Sequence, residues 1–418
     1  MAQDKLDLMG DFPFARLNRL LDGVSPPAGM APVMMQIGEP QAAVPDSVVA
    51  DITAHADLFG RYPPPPGSED YRAAVADWLA RRYGLAEGAV DPATQVLATS
   101  GSREALFQAA LAAVARKEAR LPPGTRPAVL VPNPLYHVYA GGALMAGAEL
   151  VPVATTPEND FTPAYAELPE DVLARTALCY LCTPGNPTGA VASGAAIETM
   201  IRLARAYGFT LAVDECYSEI WFDAPPTGGL EAAAALDGPD SGFDAVLSFN
   251  SLSKRSGAPG LRCGFIAGDA RLVADIARVR SYGGATLPGP LMAAGARLWG
   301  EERHVAENRA RYKALVDIAE EELGHLPGFR RPEAAFFLWL DVSRTAGDGE
   351  KAARRLWAEA GVKVLPGRYM ARPESGDTQG AGVAEAVTPG DSYVRIALVH
   401  EPETLRAACR RIAGCLGG

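Results

Sequence analysis

Seven short apolar runs recur through the middle of the chain, at 96–99, 128–131, 150–153, 178–181, 211–213, 245–249 and 264–267. Longer stretches with apolar residues at helical spacing, such as 103–117 and 194–207, lie between them. A strand with one wet face alternates apolar and polar residues, whereas a continuous apolar run is covered on both faces. Runs separated by helices therefore predict an α/β fold, a mostly parallel sheet sandwiched by helices. Ligands bind such sheets outside the carboxyl ends of the strands.

The C-terminal part has a different rhythm. From about residue 299 it carries a long charged helix pattern (301–323), an apolar run at 336–340, a second helix at 349–360 and a strand at 393–398. This predicts a smaller α+β domain. At 418 residues the chain exceeds what one core organises. The expected division is 1–48 as an N-terminal segment joining the small domain, 49–298 as the large domain and 299–418 as the small one. The stretch 371–390, rich in Gly, Pro, Glu and Thr, is expected to be a surface loop.

Charge and cysteine usage exclude several classes. A net charge of −11 argues against a general nucleic-acid or anionic-membrane face. Any anionic ligand must then be drawn in by a few local arginines. No apolar run reaches the roughly 18 residues a bilayer span needs. Asp4, Asp7 and Asp11 do not suit a signal peptide, and the expected location is the cytoplasm. Six cysteines make no disulfide framework. Cys179 and Cys182 form a C-x-x-C spacing, but in a strand they would point to opposite faces, and no metal is expected.

The chemistry-bearing residues follow the apolar runs. Lys254, in Ser251-Leu-Ser-Lys-Arg-Ser256, sits just past a run and is followed by Arg262. A lysine that adds to a carbonyl needs a desolvated, cation-rich setting that lowers its pKa. Ser251, Ser253 and Arg262 would hold a phosphate dianion beside it. Lysine and phosphate clamp in one loop are what pyridoxal phosphate requires. Asp214 ends another run; it serves either as a helix cap or as the partner of the cofactor's pyridine nitrogen. At roughly 4 Å and an effective dielectric near 20, that pair is worth on the order of 4 kcal/mol. Tyr217, three residues on, can reach the ring's phenolic oxygen, as can Asn186 in the stiff loop Thr183-Pro-Gly-Asn-Pro-Thr-Gly189.

Gly101, Ser102 and Arg103 open an alanine-rich helix whose N-terminus suits either an anion or a cap. Tyr136 is either a ring-stacking aromatic or a core tyrosine. Arg395 interrupts an apolar strand and needs a partner, a ligand carboxylate or a structural acid. Tyr62, in a proline-rich loop, reads as a surface residue or as a group presented across a subunit boundary.

In this order and spacing, the motifs resemble those of the class I and II aminotransferases of pyridoxal-phosphate fold type I. The resemblance runs from about Phe12 to the C-terminus. It implies that Lys254 bonds to the cofactor, with Asp214, Tyr217 and Asn186 on the ring. It assigns the phosphate to Gly101, Ser102, Arg103, Ser251 and Arg262, and to Tyr62 from the neighbouring subunit of a homodimer. It puts Tyr136 on the ring face and the substrate α-carboxylate on Arg395, Asn186 and the backbone near Gly38. A narrower resemblance, to bacterial N-succinyldiaminopimelate aminotransferases of lysine biosynthesis, rests on Asp11-Phe-Pro-Phe-Ala-Arg-Leu17, Gly38-Glu-Pro40, the Lys254 loop and Thr388–Val399. Gly257 stands where that group usually has asparagine. Arg280, Arg103 and Arg255 are the candidates for a second substrate carboxylate. Rival readings are an aminotransferase of aspartate, aromatic or broad specificity, a C–S lyase on the same scaffold, and a regulator with an aminotransferase-like domain. With the family's N-terminal segment beginning almost at once, no DNA-binding module is expected.

Overall fold

The computed structural model describes residues 5–238, 241–373 and 387–417. Seven strands form one sheet: β1 (Val96–Thr99), β2 (Ala128–Asn133), β3 (Glu149–Ala154), β4 (Thr176–Cys182), β5 (Thr210–Asp214), β6 (Val246–Ser251) and β7 (Gly264–Gly268). Their spatial order is β1-β7-β6-β5-β4-β2-β3. Neighbours from β6 through β3 are parallel. Only β7 runs against both of its neighbours. Residues 252–263 therefore turn the chain back at one end of the sheet instead of crossing over it. That end is the carboxyl edge of the parallel strands, and Lys254 lies in the turn.

The apolar runs are uninterrupted because both faces are buried. In β4, Cys179 and Leu181 enter the core that holds Trp78, Val213 and Trp299. Leu178 and Tyr180 enter the opposite core, with Leu106, Ala212 and Ile266, and Cys182 packs against it. The two thiols diverge, as the strand period requires. Helices Ser102–Glu118 and Gly194–Tyr207 lie close to the expected ranges.

A third core surrounds an antiparallel sheet of Leu365–Pro366, Tyr393–Ala397 and Phe337–Asp341, in that order. Helices Arg303–Leu323, Gly349–Ala360 and Pro402–Leu416 contribute to it. Near the other end of the sequence, Val33–Met34 pairs in parallel with Val362–Lys363, and Val33 and Met35 bury in the same core. Cys216, Tyr217 and Ile220, just past β5, also enter it. The carboxyl edge of the large sheet is thus packed directly against the C-terminal sheet. Most of the expected surface loop at 371–390 lies outside the described residues. At its start, Asn133 grips the backbone of Arg372, accepting from its N–H at 2.9 Å and donating to its carbonyl at 2.8 Å. No described helix is long and apolar enough to cross a membrane.

Candidate active site

Lys254 belongs to the four-residue helix Leu252–Arg255 that follows β6. Its Nζ donates to the Gly38 carbonyl at 2.6 Å and lies 5.2 Å from the centre of the Phe336 ring. Asn308 fixes the turn by donating to the Lys254 carbonyl at 2.9 Å. No described carboxylate pairs with the ammonium. Burial, with Arg395 and Arg103 nearby, outweighs the pull of Cys216 and Glu39 and lowers its pKa to about 8. A substantial neutral fraction near pH 8 is what a nucleophilic amine needs.

Gly38 is held to its identity by contact. A Cβ there would stand 2.4 Å from the Phe337 ring. Gly38→Ala is expected to cost about 1–3 kcal/mol through overpacking, read as a lower midpoint in chemical denaturation. An unchanged midpoint would show that the Phe337 ring moves freely.

Asp214 ends β5 and is buried. Tyr139 donates to its Oδ2 at 2.6 Å, and the Cys216 N–H donates to its Oδ1 at 3.2 Å. Burial raises its pKa, and the two donors work against the shift. No described cation pairs with it. Tyr217 stands beside it with its ring edge-on to Phe336 and Phe337, at 5.5 and 5.7 Å. Burial pushes the Tyr217 phenol well up.

Gly101 precedes the helix Ser102–Glu118 with φ +79°, and a Cβ would stand 2.4 Å from the Arg262 guanidinium. Arg262 lies across this turn, donating to the carbonyls of Ser100 at 2.9 Å and Pro259 at 3.2 Å. The Cys216 thiol donates to Ser102 Oγ at 3.0 Å. Ser251, buried, stands at the N-cap position of the Lys254 turn. The start of a 17-residue helix, hydroxyls and a guanidinium converge here, which is an anion cup in chemical terms.

Arg395 also lies near Lys254. Its guanidinium donates to the Gln36 carbonyl at 2.7 Å and to Asn186 Oδ1 at 3.1 Å, and stacks 4.5 Å from the Phe337 ring. Its Nε has no partner. No described carboxylate pairs with it, and burial lowers its pKa to about 10. A buried cation with spare donors and no counter-ion is built for an anion that arrives from outside.

A sequence profile of the class I and II aminotransferases matches residues 33–412. The chain belongs to this family. It is a pyridoxal-phosphate enzyme of fold type I. An LL-diaminopimelate aminotransferase of Desulforudis audaxviator is 33% identical over 415 residues, covering 97% of this chain and 95% of that one. A putative aminotransferase, AatC, of Rhizobium meliloti is 32% identical, covering 98% of this chain and 94% of its own. Among solved structures, an aminotransferase from Neisseria meningitidis superposes with a TM-score of 0.88 at 37% identity, over 99% of this chain and all of that one. The curated relatives named for diaminopimelate carry the LL-diaminopimelate name, without the N-succinyl group that the narrower sequence resemblance suggested.

In this aminotransferase the three candidate arginines for a second carboxylate separate clearly. Arg255 is fully buried between Trp78 and Trp299, bonded to the Leu298 carbonyl at 2.7 Å and paired with Glu302 at 2.7 Å. Arg280 is bound to Glu104, Gln108 and the Ala285 carbonyl. Both are committed to holding helices together. Arg103 alone of the three has no acidic partner among the described residues; its Nε donates to the Tyr136 hydroxyl at 2.9 Å. Tyr136 is edge-on to Tyr139 at 5.7 Å. Tyr62 is fully exposed on the isolated chain.

Tyr139 was absent from the sequence reading although it touches Asp214. It lies in the helix His137–Met145, three residues after Tyr136, which stands at the N-cap. A tyrosine in a mostly apolar helix was the available signal. Its stacking on Tyr180, at 4.3 Å, shows why it also reads as core.

Proposed function

We propose that this aminotransferase exchanges an amino group between the L-glutamate/2-oxoglutarate couple and the N-succinyl-L,L-2,6-diaminopimelate/N-succinyl-2-amino-6-oxopimelate couple in lysine biosynthesis. The observation that carries the reading is Arg395, a buried cation with no counter-ion among the described residues, in the same cleft as a desolvated Lys254. A second reading, transamination of unacylated LL-diaminopimelate, is favoured by the names of the relatives.

The residues present fit pyridoxal phosphate: an amine with no carboxylate partner and a buried acid with no cation among the described residues, and an anion cup. When bound, the cofactor supplies an electron sink for negative charge at the substrate Cα. Asp214 would hold the ring nitrogen protonated, with Tyr139 and the Cys216 N–H fixing its carboxylate. Tyr217 and Asn186 would hold the phenolic oxygen, and Tyr136 the ring face. Gly101, Ser102, Arg103, Ser251 and Arg262 would hold the phosphate, with Tyr62 of a second copy completing the cup in a homodimer. Arg395 and Asn186, beside Gly38, would grip the α-carboxylate and aim the Cα hydrogen at Lys254. Lys254 takes that proton as base and returns it as acid.

Because the neutral amine is the nucleophile, capture of pyridoxal phosphate by apoenzyme is expected to accelerate with pH. The rate should be half-maximal near pH 8 and level above it, measured by stopped-flow absorbance. A flat profile from pH 6 to 10 would contradict the Lys254 environment.

The substrate test is a half-reaction spectrum of holoenzyme, with loss of the visible cofactor band after each donor is added to a fresh sample. Bleaching by L-glutamate and by N-succinyl-L,L-diaminopimelate supports the proposal. Bleaching by glutamate and free LL-diaminopimelate, with the succinylated compound inert, moves it to the second reading. Inertness of both diaminopimelate forms removes them as substrates.

A further inference from the structure

His137 opens the helix His137–Met145, directly after Tyr136. Its ring is pinned between Phe12, at 4.5 Å, and Tyr136, at 4.7 Å, both edge-on. The charges that act on it are Arg103 and Arg395, neither of which has an acidic partner among the described residues. Burial and these cations pull its pKa down to about 4, leaving the ring neutral at working pH. Neither ring nitrogen has a hydrogen-bond partner among the described residues. The imidazole thus offers one N–H and one lone pair, and no purely structural contact uses them. An acid here would have marked a site for an ammonium. Two guanidiniums and a neutral donor mark the opposite.

We propose that His137 is a specificity-determining residue, which receives the far end of the substrate side chain and selects an amide or carboxylate there over a free ammonium. This rests on the transamination reading above and deepens it. An N-succinylated distal nitrogen is a neutral amide and brings an extra carboxylate. A free distal amine would set a third cation beside Arg103 and Arg395, with desolvation against it.

Two measurements test this on holoenzyme. Binding of glutarate and of pentanoate, which share length and one carboxylate but differ at the far end, is read by calorimetry for wild type, His137→Ala, His137→Gln and His137→Glu. Wild type is expected to prefer glutarate. His137→Ala should weaken glutarate about tenfold with pentanoate within twofold, the loss of one hydrogen bond to a charged group. His137→Gln should restore most of the difference, and His137→Glu should abolish it by repulsion. Second, the half-reaction is compared for succinylated and free LL-diaminopimelate, and His137→Glu should shift the ratio at least about tenfold toward the free amine. Equal losses for both probes would assign His137 to propping Tyr136 and overturn the proposal. So would an unchanged ratio in all variants. Failure of wild type to accept either diaminopimelate form sinks the substrate reading instead, and the glutarate/pentanoate comparison still decides on His137.

Discussion

Lys254→Ala is expected to lower transamination by about 10⁴-fold or more, since one group serves as covalent anchor, base and acid. The loss should appear in the chemical step, with amino acid still able to bind. Folding offers a clean control. A desolvated ammonium with no carboxylate partner costs the folded chain stability below its ordinary pKa, and the penalty is fullest below about pH 8. The apo variant should therefore melt no lower than apo wild type at pH 7. Residual turnover within a hundredfold of wild type would place the proton transfer on another residue.

Arg395→Ala is expected to lower kcat/KM by about 10²–10³-fold for every amino donor, because truncating one side of a buried charge pair leaves the incoming carboxylate unpaired. The damage should fall mainly on KM. Arg395→Lys keeps charge but loses the planar fork, and should recover only part of the loss. A structural role would show elsewhere. The guanidinium bonds to one carbonyl and one amide oxygen, and burial already works against its charge. Arg395→Met should thus be neutral to stabilising in thermal denaturation. A large drop in melting temperature with KM unchanged would make Arg395 a strut.

These two residues were legible before any fold was known, for a local reason. Lys254 follows an apolar run and is bracketed by hydroxyls and glycines, and Arg395 interrupts an apolar strand. A charge where the pattern demands a hydrophobe must be satisfied by something, and neighbouring sequence offered nothing. The sheet was legible for a related reason. Burial on both faces writes itself as unbroken apolar runs in β4 and β5.

The arginines show where that kind of reading ends. Arg255, Arg280 and Arg103 look alike as sequence, each a cation beside a helix or loop motif. Arg255 finds Glu302 and the Leu298 carbonyl, and Arg280 finds Glu104, 176 positions away. Such pairings leave no periodic trace, because they are made by elements brought together in packing. The same holds for Tyr139 on Asp214 and for the free nitrogens of His137. What the sequence determined by itself was the type of sheet and the lysine at its carboxyl edge, since solvent exposure and burial act residue by residue along the chain. Only the tertiary structure decided which charged groups are already spent on holding the fold and which remain available to a ligand, because that depends on long-range partners competing for the same donors.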